Sequence, residues 1–158
     1  MTWRVLRFGK HRGKTLAQVL FADPNWFFWA RGSGVFQCGA HSDEADFLAR
    51  RARRVLVPRD GAPGRVVYFL DASSGKLADV DVNADPGAEE LCVRVSEFLS
   101  FEMAYIINAH DKVGSQILVR EIKATVFGSA SCRVTRERAD QFFSDDRNFA
   151  PPDGTGFE

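Results

Sequence analysis

The sequence predicts an α+β fold, in which a small basic strand–turn–helix module precedes an antiparallel hairpin or sheet packed with C-terminal helices. Three observations carry this expectation. Arg65–Asp71 and Lys76–Asp81 are two β-rich runs joined through Ser73-Ser74-Gly75, the clearest hairpin in the chain. From Asp111 onward apolar residues return at the helical period (Val113, Ile117, Leu118, Ile122, Val126, Phe127) and stop at Gly128. Near the N-terminus, Trp3 to Phe8 alternates apolar and basic side chains until Gly9 and Gly13 break the pattern.

In chain order, Trp3–Phe8 reads as a short strand and Gly9–Gly13 as a tight turn, since glycine supplies the positive φ that such turns demand. Thr15 is placed to cap a helix carrying Leu16, Val19 and Leu20 on one side. Asp23-Pro24 breaks that helix and starts another, with Asp23 as cap and proline at the first helical position. This second helix carries Trp26, Phe27 and Trp29 and ends at Gly32 or Gly34. Val35–Cys38 reads as extended. Ser42 is expected to cap a helix over Asp43–Leu56, with Glu44 and Asp46 in its first turn and four arginines toward its end, where the helix dipole favours each sign. Pro58–Gly64 is a loop, and Pro86-Gly87 a second break. Leu91, Val93 and Val95 alternate like a third strand of the hairpin's sheet, while Phe98–Ile107 fits either period. Thr135 caps a last helix through Phe142 and Phe143.

A chain of 158 residues can hold one core, or a small module with an appended domain. Residues 1–58 read as the basic module with a flanking helix, 59–149 as an α+β region of unassigned role, and 150–158 as a disordered Pro- and Gly-rich tail. A single domain is the alternative partition. Fourteen phenylalanines and three tryptophans are enough to fill an aromatic core and leave some for an interface. No apolar run approaches the roughly 20 residues that span a bilayer, and no apolar leader opens the chain, so no membrane contact and a cytosolic location are expected. Cys38, Cys92 and Cys132 are odd in number and far apart, which favours buried free thiols over disulfides or zinc. His11, His41 and His110 lack second ligands at metal spacing, and no cofactor is expected. The formal net charge is zero, yet residues 1–60 hold 11 Lys/Arg against 5 Asp/Glu and the remainder is acidic by the same margin. A basic binding face on an acidic scaffold would produce that asymmetry, and so would two halves that pair across the fold.

The densest motif is Phe8-Gly9-Lys10-His11-Arg12-Gly13-Lys14-Thr15-Leu16, followed by Val19, Asp23-Pro24, Trp26 and Trp29. In order and spacing these residues resemble the small C-terminal domain found behind the exonuclease fold in exonuclease X-like proteins, over residues 8–29 only. In that family the nuclease chemistry belongs to a separate acidic domain. The resemblance therefore implies a non-catalytic, accessory nucleic-acid-binding module, with DNA rather than RNA as the expected polymer. Read from the residues themselves, Lys10, His11, Arg12 and Lys14 would neutralise backbone phosphates and release counterions, with His11 the best single contact. Gly9 and Gly13 would shape the turn. Arg50, Arg51 and Arg54, with Arg53, could extend the track, or could simply be a solvated helix end. Trp26 and Trp29, three apart, would pack beneath the turn or stack on bases, the packed arrangement being preferred.

Other readings remain open. Gly9-x-x-x-Gly13-Lys14-Thr15 has three residues where a phosphate-binding P-loop has four, which argues against an NTPase. Asp79-x-Asp81 and Glu121-x-Lys123 supply pieces of a metal-dependent nuclease, but the first pair is expected to face solvent and the second lies on a helix. A different class of function, a protein-interaction or inhibitor factor of a bacterial mobile element or phage, would use the basic turn and surplus aromatics on an acidic protein partner.

Overall fold

The computed structural model describes residues 3–37, 39–57, 66–82 and 93–151, and it is α+β. The helices are α1 (Leu16–Ala22), α2 (Pro24–Gly32), α3 (Ala40–Ala52), α4 (Phe101–Asn108), α5 (Lys112–Phe127) and α6 (Arg136–Ser144). The strands are β1 (Val55–Leu56), β2 (Val66–Leu70), β3 (Leu77–Asp81), β4 (Val93–Ser96) and β5 (Phe98–Leu99). They form a three-stranded antiparallel sheet in the order β3-β2-β4 and a two-stranded ladder of β1 with β5. Among the described residues, no helix is long and apolar enough to cross a membrane.

Local chemistry explains most boundaries. Thr15 and Gln18 form a reciprocal capping box at α1, and Asp23 caps α2 ahead of Pro24. Gly34, at φ +78°, ends α2 in a Schellman arrangement, with the Val35 amide donating to the Ala30 carbonyl at 3.0 Å. Asp71 organises the β2–β3 turn by accepting from the amides and hydroxyls of Ser73 and Ser74. Asp111 caps α5 and also accepts the Leu77 amide at 2.9 Å, which ties that helix to β3. Gly128 closes α5 in the left-handed region, and Thr135 caps α6.

A single apolar cluster runs from Trp3 to Phe149 and joins the N-terminal helices to the C-terminal ones. Phe21 of α1 lies at its centre, with ring centroids 5.1 Å from Phe101, 5.0 Å from Phe127 and 5.7 Å from Phe143. Phe143 in turn stacks on Phe149 at 5.6 Å. Burial of these rings holds α1, α4, α5 and α6 together, and it absorbs many of the phenylalanines that the composition leaves unassigned.

Several expectations are corrected. Trp3–Phe8 is not a strand: Trp3 and Leu6 are both buried while Val5 makes only an isolated bridge to Thr15, so burial follows the loop and not a period of two. Helix α3 begins at Ala40 after an uncapping Gly39, and Ser42 already lies inside its first turn. It stops at Ala52 because Val55 and Leu56 extend to pair with Leu99 and Phe98, and burial of Val55 outweighs helix propagation. The stretch after α2 is a turn, not extended. Phe98–Ile107 resolves into β5 and then α4, separated by the N-cap Ser100. Val93–Ser96 pairs with β2 as the third strand, as the alternation of Val93 and Val95 predicts. Cys132 is free and half-buried. Expectations for Cys38, Pro58–Gly64, Pro86-Gly87, Leu91, Cys92 and the tail from 152 fall outside the described residues.

Candidate functional site

The basic loop is closed by backbone bonds before any side chain acts. The Leu6 amide donates to the Lys14 carbonyl and the Gly13 amide to the Leu6 carbonyl, each at 2.9 Å. Inside this neck the Arg12 amide reaches Gly9 and the Lys14 amide reaches His11. Gly9 (φ +76°) and Gly13 (φ +91°) sit in the left-handed region that makes the reversal possible.

Asp23 fastens the loop to the helices. One carboxylate oxygen accepts the Trp26 amide at 3.1 Å, and the other lies 3.0 Å from both His11 Nε2 and Lys10 Nζ. Burial works to raise the Asp23 pKa, but hydrogen bonds from Lys10, His11 and the Trp26 amide outweigh it and hold the group below its ordinary value. Since the ionised carboxylate can only accept, His11 Nε2 carries the proton and donates. The His11 ring is only 7% exposed and meets the Trp26 ring edge-on at 5.2 Å. Trp26 continues to Phe36 at 5.9 Å, and its Cζ2 would lie 3.5 Å from a side chain on Gly9.

This places the sequence-derived residues in different roles. Lys10, Arg12 and Lys14 are exposed, and Arg12 and Lys14 have no ion-pair partner among the described residues. His11, expected as the best contact, is turned inward and serves as an anchor. Trp26 supports the turn, but Trp29 does not. Phe27, Phe28 and Ala30 define the buried face of α2, and at about 100° per residue Trp29 falls on the opposite side, 52% exposed. Sequence reasoning missed Arg4 and Arg7, which are exposed beside the loop and bring the cations between Arg4 and Lys14 to five. Their signal was present, since no acidic residue occurs between Arg4 and Ala22.

The arginines of α3 lie at its far end. The Arg4 amide donates to Glu44 at 3.1 Å and Trp3 packs on Phe47 at 5.5 Å, so the start of the chain runs along this helix. From Glu44 to Arg51 the axial distance is about 10 Å at 1.5 Å per residue. Arg51 donates to the Phe143 carbonyl, pairs with Asp146 and lies over the Phe47 and Phe149 rings at 4.4 and 5.0 Å. Arg53 pairs with Glu102, and Arg54 donates to the Pro151 carbonyl. Arg50 is exposed, without an ion-pair partner among the described residues.

Across the molecule, Glu121 of α5 is pushed above its ordinary pKa by burial and then by Asp79 and Asp81 of β3. Asp79 and Asp81 are exposed, as expected, yet close enough to act on the helix. Among the described residues, no group of three His, Cys, Asp or Glu side chains is arranged to hold a metal ion. Comparison with family models, curated proteins and solved structures finds no match to this chain.

Proposed function

We propose that this protein is a non-catalytic nucleic-acid-binding accessory factor that holds the phosphate backbone, of DNA in the first instance, on the loop from Gly9 to Lys14. The observation that carries the reading is the loop's construction. Asp23, His11 and Trp26 fix its interior, while Lys10, Arg12 and Lys14 project outward beside Arg4 and Arg7. A rigid loop loses little conformational freedom on binding, so its Coulombic attraction is retained as affinity. Cations spaced along a backbone read phosphate without reading sequence. The likeness of residues 8–29 to the exonuclease X C-terminal domain points the same way.

The test is binding of labelled single- and double-stranded DNA and RNA at low and moderate salt, with and without magnesium. Affinity is expected to fall linearly with the logarithm of salt. Lys10→Ala/Lys14→Ala is expected to weaken binding and reduce that slope by about 2. Probes left intact in magnesium fit the accessory role. Absence of binding to every probe sinks the reading.

A second reading is favoured by a separate observation. Trp29, Tyr105, Ile106 and Val113 are large apolar side chains exposed on α2, α4 and α5, with Tyr105 stacked on Phe28 at 5.7 Å. A protein partner would cover them in an interaction factor.

A further inference from the structure

The C-terminal end of α3 opens into a cleft of about 820 Å³, within the range of about 300–1,000 Å³ usual for small-molecule sites. Four arginines (Arg50, Arg51, Arg53 and Arg54) line it, with Phe47 and Phe149 among its walls. A helix C-terminus attracts cations, but it carries only about half a negative charge. That accounts for one arginine in the last turn, not for four around one cavity.

Among the described residues, the carboxylates that meet these arginines are already committed. Asp146 balances Arg51 and Glu102 balances Arg53, while Arg50 has no ion-pair partner among the described residues. Arg51 is also preorganised, its guanidinium held by the Phe143 carbonyl, Asp146 and two phenyl faces. A fixed, planar fork beside an exposed one that has no ion-pair partner among the described residues suits a compact anion with several oxygens. Phe47 and Phe149 give their faces to Arg51, and Phe149 also to Phe143, so the aromatic walls hold the fork in place.

We propose that this cleft binds a phosphomonoester, presented either by the phosphorylated end of a nucleic-acid strand or by a free mononucleotide. A terminal phosphate near neutral pH carries close to two charges and three acceptor oxygens, against one charge and two free oxygens for a phosphodiester within a strand. The end-of-strand form rests on the nucleic-acid reading above: Trp3 packs on Phe47 at the cleft wall, and the chain leads from there past Glu44 to His41, carrying Arg4 and Arg7 from the cleft toward the basic loop. The free-nucleotide form does not depend on that reading.

The experiment compares 5′-phosphorylated with 5′-hydroxyl single-stranded DNA of one sequence, and separately measures the shift in Tm caused by adenosine monophosphate. Each is done on the full chain, on Arg50→Gln, whose exposed side chain the fold does not need, and on Lys10→Ala/Lys14→Ala. A phosphorylated end is expected to bind about tenfold tighter, as one charge-assisted bidentate contact provides, and Arg50→Gln to abolish that preference. The loop variant should weaken both probes alike and leave their ratio intact. A Tm shift with adenosine monophosphate that Arg50→Gln removes, without an end preference, assigns the cleft to free nucleotides. An end preference without that shift assigns it to strand ends. If wild type shows neither, or if Arg50→Gln keeps whichever appears, the proposal is overturned. Loss of all DNA binding with the nucleotide shift retained would fail the loop reading and leave the cleft standing.

Discussion

His11 donates from Nε2 to a carboxylate oxygen of Asp23 at 3.0 Å, while the second oxygen of Asp23 caps α2 at Trp26. One side chain thus starts a helix and fixes a loop whose outward lysines and arginines are the proposed contacts. Asp23→Ala removes the cap, worth about 0.5–2 kcal/mol, and leaves a buried imidazole N–H without its acceptor, about 1–3 kcal/mol. The expected loss is about 2–3 kcal/mol, read as a lowered urea midpoint. Asp23→Asn keeps a competent cap and should cost about 1 kcal/mol. The Lys10 bridge contributes little, because that side chain is 68% exposed. Equal losses in the two variants would mean that charge, not capping, governs this position.

The pH dependence has two parts of opposite sign. Asp23, Asp71 and Asp145 all have lowered pKa values in the fold. For Asp23, burial opposes the shift and the Lys10, His11 and Trp26 hydrogen bonds overcome it; Asp71 is brought to about 2 by Ser73 and Ser74, and Asp145 to about 2 by Arg147. Their contribution is complete above the unfolded aspartate value of about 3.9 and is lost as pH falls through the lower folded values. Glu121 is raised by burial and by Asp79 and Asp81, and Asp140 is raised by burial against the pull of Thr15 and Arg136. These two cost stability at neutral pH and relieve that cost as they protonate. Stability should therefore rise from neutrality toward the ordinary glutamate range and fall below pH 4. Glu121→Gln should flatten the rise and spare the fall. Urea midpoints measured across pH 2–8 in both proteins check this.

Much of this fold was legible because its signals are local. Thr15, Asp23-Pro24, Asp111, Thr135 and Gly128 each bond within a few residues of themselves, and each marks a boundary where it was expected. Where tertiary pairing decides, the reading failed: Val55 leaves the helical register for Leu99, a partner 44 positions away, and Trp3–Phe8 finds no ladder to join. The candidate site divides the same way. Lys10, Arg12 and Lys14 are exposed because nothing in the loop can bury them. His11 is inward because Asp23 and Trp26, twelve and fifteen residues on, make a pocket for it. The spacing of Trp26 and Trp29 put both on one side of a helix without saying which edge of that side the core would claim.

Those two tryptophans should separate folding from binding. Trp26 packs on His11, Phe36 and Gly9, so Trp26→Ala is expected to cost about 2–3 kcal/mol of stability. Trp29→Ala should change stability by less than about 0.5 kcal/mol. If bases stack on the exposed ring, the same variant loses about 1–3 kcal/mol of single-strand affinity, while duplex binding stays as in wild type. If a protein partner covers it, neither nucleic-acid affinity moves. Urea melts and fluorescence titrations on both variants distinguish these outcomes.

Gly114 should reverse the usual effect of replacing a helical glycine. In an open helix, alanine is favoured over glycine by about 1 kcal/mol. Here a side chain at 114 would lie 2.1 Å from Asp111 Oδ2 and 2.9 Å from Leu77 Cβ. Asp111 cannot yield freely, since its two oxygens accept the Gly114 amide at 2.8 Å and the Leu77 amide at 2.9 Å and so join α5 to β3. Gly114→Ala must displace the carboxylate, lose the Leu77 bond or part the helix from the strand, at an expected cost of about 2–3 kcal/mol. Asp111→Ala removes the nearer obstacle together with both bonds and leaves Leu77 Cβ at 2.9 Å. The double variant should then lose less than the sum of the two single variants, a non-additive cycle. Additive losses in urea melts would show that Leu77, not the Asp111 bridge, is what leaves no room at position 114.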